Sequence, residues 1–236
     1  MWEMKNMVAR KNTEKTQPQP DSANQHPKYV FTNHHFYYEI ACRAMRENEN
    51  LKTKMAEIKP SQKERFHRLG ILRHEQEMAF VTAIVFSAMS LEAFMYSYGC
   101  HRIVSKTFFD KSLDKLDLMA KFLIFPKLIA GNSPPKEGKG TAYPLIEKLV
   151  KSRNDLVHYK QTEMSLNEAV EKGKAMELDA RNAITAVRLA IAQLSAIDNN
   201  ISENEIRFLD DAAAGNGIPD ELIEHELPSI DPELDD

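Results

Sequence analysis

The feature that most constrains the fold is an apolar run in the first half of the chain, Phe80–Leu91, followed by Glu92 and then by Ala93–Tyr98. It lies in a longer segment with helical spacing, from Ser61 to about Lys106, whose second half is apolar on nearly all sides. Such a helix has to be covered by neighbours or by lipid. Because the run is short for a membrane span and a carboxylate interrupts it, the sequence predicts the central helix of a bundle.

The rest of the chain has the same helical periodicity and no convincing strand pattern. Further helices are predicted over 35–58, 112–128 and 143–159, and from the capping box Ser165-x-x-Glu168 to about Leu194. We therefore predict an all-α fold, a four- to five-helix bundle over residues 35–200. A polar, proline-containing arm (1–34) that we expect to be disordered precedes it, and an acidic tail (201–236) follows it.

Composition excludes several classes of protein. Two cysteines, Cys42 and Cys100, are too few for a disulfide scaffold or a multi-cysteine zinc site. The eight glycines form neither a P-loop nor a dinucleotide-binding fingerprint. No segment has the pattern of an export signal, so we expect a cytoplasmic protein with no membrane partner.

Charge is distributed unevenly along the chain. Residues 203–236 carry twelve acidic residues and one arginine, whereas residues 31–202 carry 25 basic and 20 acidic residues. The acidic tail either only keeps the protein soluble, or shields a basic groove from nucleic acid, or recruits a partner to a helical scaffold.

One charged residue lies where a packing helix would carry a leucine. On the helix predicted over 143–159 the apolar side chains form one stripe, and Arg153 falls in its middle. A guanidinium keeps its proton and needs an anion or several acceptors when it is buried. Glu92 stands in an apolar helix and needs a cation for the same reason. The residues alone therefore favour a buried Arg153–Glu92 pair that only joins two helices.

Two polar residues next to Arg153 offer a second interpretation. Asn154 and His158 are four residues apart and share one face of the helix. Arg153 and His158 point about 140° apart on an ideal helix, given its period of 3.6 residues. They can act together only if the helix ends after Leu156 or if a second copy of the motif approaches.

The run Arg153-Asn154-x-x-x-His158, late on an amphipathic helix, resembles the R-x(4–6)-H motif of the HEPN superfamily. The segment Ser90-Leu91-Glu92-Ala93-Phe94 on an earlier helix is similar to the Leu-Glu-Ala-aromatic helix of many such proteins, and the likeness covers about residues 35–197. The resemblance implies a helical bundle that forms homodimers with two motifs facing each other. Many members are metal-independent endoribonucleases of toxin–antitoxin, abortive-infection and CRISPR systems.

The resemblance also implies roles for particular residues. His158 would be the general acid or base, Arg153 would stabilise the charge of the transition state, and Asn154 would orient His158 or the phosphate. The chain departs from the family pattern after the histidine, where many members have glycine or another small residue and this sequence has Tyr159 and Lys160. From their own chemistry we expect Tyr159, Lys160 and Lys151 to contact the RNA substrate, although Tyr159 would equally fill the cleft.

The expected function is therefore a HEPN-like endoribonuclease, a toxin or anti-phage effector with an antitoxin or regulatory protein as a further partner. The alternative is a non-catalytic HEPN-like dimer that binds protein or nucleotide. Neither interpretation requires a cofactor. We also predict no metal site, because the pair His34 and His35 and the pair His67 and His74 have no carboxylate or cysteine at ligand spacing in the sequence.

Overall fold

The computed structural model describes residues 33–59, 65–103, 105–138, 140–158 and 165–215, and every regular element within these ranges is a helix. The all-α fold predicted from the sequence is confirmed. The helices are α1 (His34–Ala56), α2 (Arg65–Arg102), α3 (Lys106–Phe108), α4 (Leu118–Ala130), α5 (Tyr143–Val157), α6 (Leu166–Ile197) and α7 (Glu203–Ala214), with a π-helical turn, Phe109–Leu113, directly after α3.

The long helix α2 is the centre of the bundle and packs against α1, α4, α5 and α6. Its second half buries both large and small side chains, among them Phe80, Ile84, Leu91 and Met95. The buried side of α6 is built largely from alanine. Its buried residues are Ala180, Ala183, Ala186, Val187, Ala190, Ile191 and Leu194.

Among the described helices, α2 is long and apolar enough to cross a membrane. It has 38 residues, and its most apolar 18-residue window has a mean hydropathy of 1.8. The apolar segment is therefore not too short for a membrane span, contrary to the expectation from the sequence. Of that window, 56% is buried inside the bundle, which is what the central helix of a helical bundle requires.

The described residues contain seven α-helices, more than the four or five expected. The segment 112–128, predicted as one helix, is divided between the π-helical turn and α4. The division arises because the side chain of Asp117 accepts a hydrogen bond from the Ala120 N–H at 2.7 Å and starts a new helix there.

Part of the segment expected to be an acidic tail from residue 201, Glu203–Ala214, forms the helix α7. Ser202 caps this helix, and Leu209 and Ala212 are fully buried in the common core. Arg46 of α1 donates a hydrogen bond to the Ala212 carbonyl at 2.7 Å. The predicted disordered arm, up to residue 32, and the tail from residue 216 lie outside the described residues, while His34 already belongs to α1.

Candidate functional site

Helix α5 carries the motif and ends just before its histidine. Pro144 occupies the first turn, where its missing N–H is not needed, and Ile146 and Leu149 are buried against the bundle. The helix ends at Val157, and the His158 N–H donates to the Asn154 carbonyl at 2.9 Å. With φ −103° and ψ 25°, His158 has left the helical conformation, so its side chain is not tied to the ideal helical direction.

Arg153 forms the ion pair with Glu92 that the sequence suggests, and the pair joins α5 to α2. Its Nη2 atom donates to Glu92 Oε1 at 2.6 Å. The pair is not buried as expected, since 34% of the Arg153 side chain and 44% of the Glu92 side chain are exposed. The physical reason is the length of arginine, whose aliphatic part covers apolar surface while the guanidinium reaches the edge of the bundle.

A second polar contact, not found from the sequence, joins α5 to α6. Asp179 accepts a hydrogen bond from Ser152 Oγ at 3.0 Å and pairs with Lys148 Nζ at 2.8 Å. Ser152 and Arg153 are neighbours in the chain and bind different helices. Together the two contacts link α5 to both α2 and α6.

The structure separates the predicted site residues into three groups. Asn154, His158 and Lys151 are exposed, whereas Arg153 is turned towards Glu92. Tyr159 and Lys160, predicted to contact RNA, lie outside the described residues. Within one copy, in the part of the chain that the structure describes, the Arg153 side chain is thus bonded to Glu92 and not to His158.

An apolar groove lies beside the end of α5. It has a volume of about 470 Å³, and Leu156, Met78, Val81 and Met176 are among the side chains that line it. Met78 is 53% exposed, and Val157, which follows Leu156 in the chain, is 63% exposed. The groove and these two side chains make this end of α5 a candidate binding surface.

The structure gives His34 and His35 a carboxylate partner, although no carboxylate stands at ligand spacing from them in the sequence. The first turn of α7 brings Glu205 to both rings, with its Oε2 atom 2.9 Å from His34 Nε2 and 2.5 Å from His35 Nε2. The sequence carried no local signal for this contact, because Glu205 is about 170 residues away and lay in the segment expected to be a tail.

No protein-family model, curated protein or solved structure matches this chain. The resemblance to the HEPN superfamily therefore rests on the motif residues themselves and on the all-helical bundle that holds them.

Proposed function

We propose that this protein is a HEPN-like, metal-independent endoribonuclease whose active site is composite, formed by two copies of the α5 end at a homodimer interface. The observation that carries the proposal is the exposure of Asn154 and His158 at the end of α5, next to an arginine whose ion pair is itself partly exposed. A catalytic side chain has to reach its substrate.

Arg153 is the residue that would stabilise the transition state. Because its pair with Glu92 is about one-third to one-half exposed, the pair contributes about 0–1 kcal/mol, as surface ion pairs do. An RNA phosphate that approaches the guanidinium can therefore share it or displace Glu92 at small cost. Arginine suits this task because its N–H groups form paired hydrogen bonds with phosphate oxygens.

The reaction needs a proton acceptor and a proton donor. In the proposed mechanism one His158 imidazole removes the proton of the ribose 2′-hydroxyl, and the 2′-oxygen attacks the neighbouring phosphorus. The bond from phosphorus to the 5′-oxygen breaks, and His158 of the partner subunit supplies the proton that this oxygen takes up. The products are a 2′,3′-cyclic phosphate and a 5′-hydroxyl, and no step uses a metal-bound hydroxide.

The test is an RNA digest with purified protein, in EDTA, that compares wild type with His158→Ala. Loss of a general acid or base lowers the rate by roughly 10²–10⁴-fold, so the variant should retain at most about 1% of the wild-type rate. RNA binding should change little, because one neutral imidazole adds little to the electrostatic attraction of phosphate.

The matched control is His67→Ala, since His67 is another exposed histidine, on α2. It should cleave RNA like the wild type and give the same 2′,3′-cyclic phosphate ends. Cleavage that survives His158→Ala, or that EDTA abolishes in the folded protein, contradicts the mechanism.

A second function, a non-catalytic HEPN-like dimer that binds protein or nucleotide, is favoured by one observation. The Arg153 guanidinium is already paired with Glu92, and the groove beside the end of α5 is mainly apolar. If the wild type leaves several unrelated RNAs intact, this binding module becomes the preferred function.

A further inference from the structure

Three metal-ligating side chains meet where α1 begins and α7 begins. His34 and His35 occupy the first turn of α1, and Glu205 lies in the first turn of α7. Their ligand atoms all lie within 4.8 Å of one another, and both Nε2 atoms point at the same carboxylate oxygen. Two imidazole nitrogens and one carboxylate oxygen form a donor set that zinc commonly takes.

Packing holds the two rings in place. The ring centroids of His34 and His35 are 3.9 Å apart, the His35 ring lies 4.2 Å from that of Phe208, and Phe94 meets the His34 ring edge-on at 5.4 Å. Because these side chains are fixed by their neighbours, little conformational freedom is lost when a ligand binds them.

The distances within the cluster are compatible with a bound ion after a small adjustment. In a tetrahedral zinc site with bonds of about 2.0–2.1 Å, neighbouring ligand atoms are about 3.3 Å apart. The two nitrogen-to-oxygen distances, 2.9 and 2.5 Å, therefore need to lengthen by less than about 1 Å. The Glu205 side chain is only partly covered and can make this movement.

An ion can reach the cluster from solvent. A cavity of about 280 Å³ adjoins it, lined by His34, Glu205, Ser97, His101 and Asn200 among others. The cavity leaves room for a water molecule as the fourth ligand.

We propose that His34, His35 and Glu205 bind one zinc ion, which links the start of α1 to α7. The role of this ion is to hold α7 on the bundle, and it is separate from the proposed cleavage chemistry at the end of α5. Zinc should therefore stabilise the folded protein by mass action, since the three ligands come together only when the chain is folded.

The experiment uses the full chain, stripped of metal with EDTA and then freed of chelator. Titration with Zn²⁺ in a calorimeter should give one ion per chain at this site, and the melting temperature should rise with the zinc concentration. His35→Gln and Glu205→Gln should each weaken zinc binding by roughly 100-fold or more, because losing only a residue that supports a ligand already costs 10–100-fold.

Two comparisons keep the result interpretable. His67→Gln, on an exposed histidine of α2, should bind zinc like the wild type. Circular dichroism of the metal-free variants shows whether they are folded, and His35, which is partly exposed, is the safer replacement than the buried His34. The proposed site is overturned if His35→Gln and Glu205→Gln bind zinc as tightly as the wild type, or if the folded wild type binds no zinc. If zinc binds without raising the melting temperature, the proposed link between α1 and α7 is overturned.

Discussion

The exposure of the Arg153–Glu92 pair determines how much it stabilises the fold. Removing one partner of a buried pair costs about 3–5 kcal/mol, whereas a solvent-exposed pair contributes about 0–1 kcal/mol. Since 34% and 44% of the two side chains are exposed, the smaller value applies. The pair therefore positions the arginine more than it stabilises the bundle.

We predict that Glu92→Gln lowers the free energy of unfolding by less than about 1 kcal/mol, measured by urea denaturation. The same variant should cleave RNA at least as fast as the wild type, because Arg153 then carries its charge without an internal carboxylate. Asp179→Asn is the comparison, since Asp179 binds both Ser152 and Lys148 and should be the more destabilising change. A loss of 3 kcal/mol or more for Glu92→Gln would show that the pair behaves as a buried one.

The sequence predicted some side-chain partners and missed others for one reason. Arg153 and Glu92 each stand out as a single charge in an apolar stripe, so pairing them needs no knowledge of the packing. Asp179 and Glu205 stand among other polar residues, and only the packing of α6 and α7 selects them as partners. For the same reason the orientation of His158 depended on where α5 ends, which periodicity alone did not decide.

At the scale of helices, one glycine permits a close approach to α2. A Cβ atom added at Gly99 would lie 2.6 Å from the rings of both Phe109 and Phe125, which are fully buried. Because both rings are packed in the core, α2 approaches the π-helical turn and α4 this closely with no side chain at residue 99.

We predict that Gly99→Ala lowers the free energy of unfolding by about 1–3 kcal/mol through overpacking. Gly70→Ala is a matched control on the same helix, because nothing lies within 4 Å of its added Cβ and the site is exposed. There the change should raise stability by about 0.5–1 kcal/mol, since alanine favours a helix over glycine. Thermal unfolding of the two variants checks both predictions: the melting temperature should fall for Gly99→Ala and rise for Gly70→Ala. Equal shifts in the two variants would contradict the close approach at Gly99.

Helix α7 shows how composition can hide an element. Residues 203–236 are strongly acidic, so the segment reads as a solvated tail, yet Glu205, Leu209 and Ala212 follow the spacing of a helix with one covered face. That face is short and has few buried side chains. The acidic residues therefore dominate the average hydropathy and charge of the segment. The helices α1, α2, α5 and α6 were predictable because their apolar stripes are longer.

We predict that deleting 203–236 and deleting 216–236 have different effects. The longer deletion removes α7, exposes the core that Leu209 and Ala212 cover and leaves His34 without Glu205, so the melting temperature should fall by several degrees or more. The shorter deletion keeps α7 and should leave the melting temperature close to that of the full chain. Identical melting curves for the two truncations would mean that α7 contributes nothing to the fold.

At the scale of the whole molecule, the proposed mechanism uses two His158 imidazoles, one as proton acceptor and one as proton donor, and therefore two copies of the chain. In one copy Asn154 and His158 are exposed and Arg153 is bonded to Glu92. The apolar groove beside the end of α5, with Met78 half-exposed on its wall, is the surface on which the proposal places the second copy.

We predict that the protein is a homodimer at micromolar concentration by light scattering, and that Met78→Glu shifts it towards monomer while the circular dichroism spectrum stays helical. RNA cleavage should fall together with the dimer fraction, because a monomer lacks half of the composite site. Leu128→Glu is the control: Leu128 is 56% exposed on α4, about as much as Met78, and its replacement should change neither property. Two outcomes would rule out the composite site: a monomeric wild type that still cleaves RNA, or a monomeric Met78→Glu variant with full activity. In either case His158 would act within one chain.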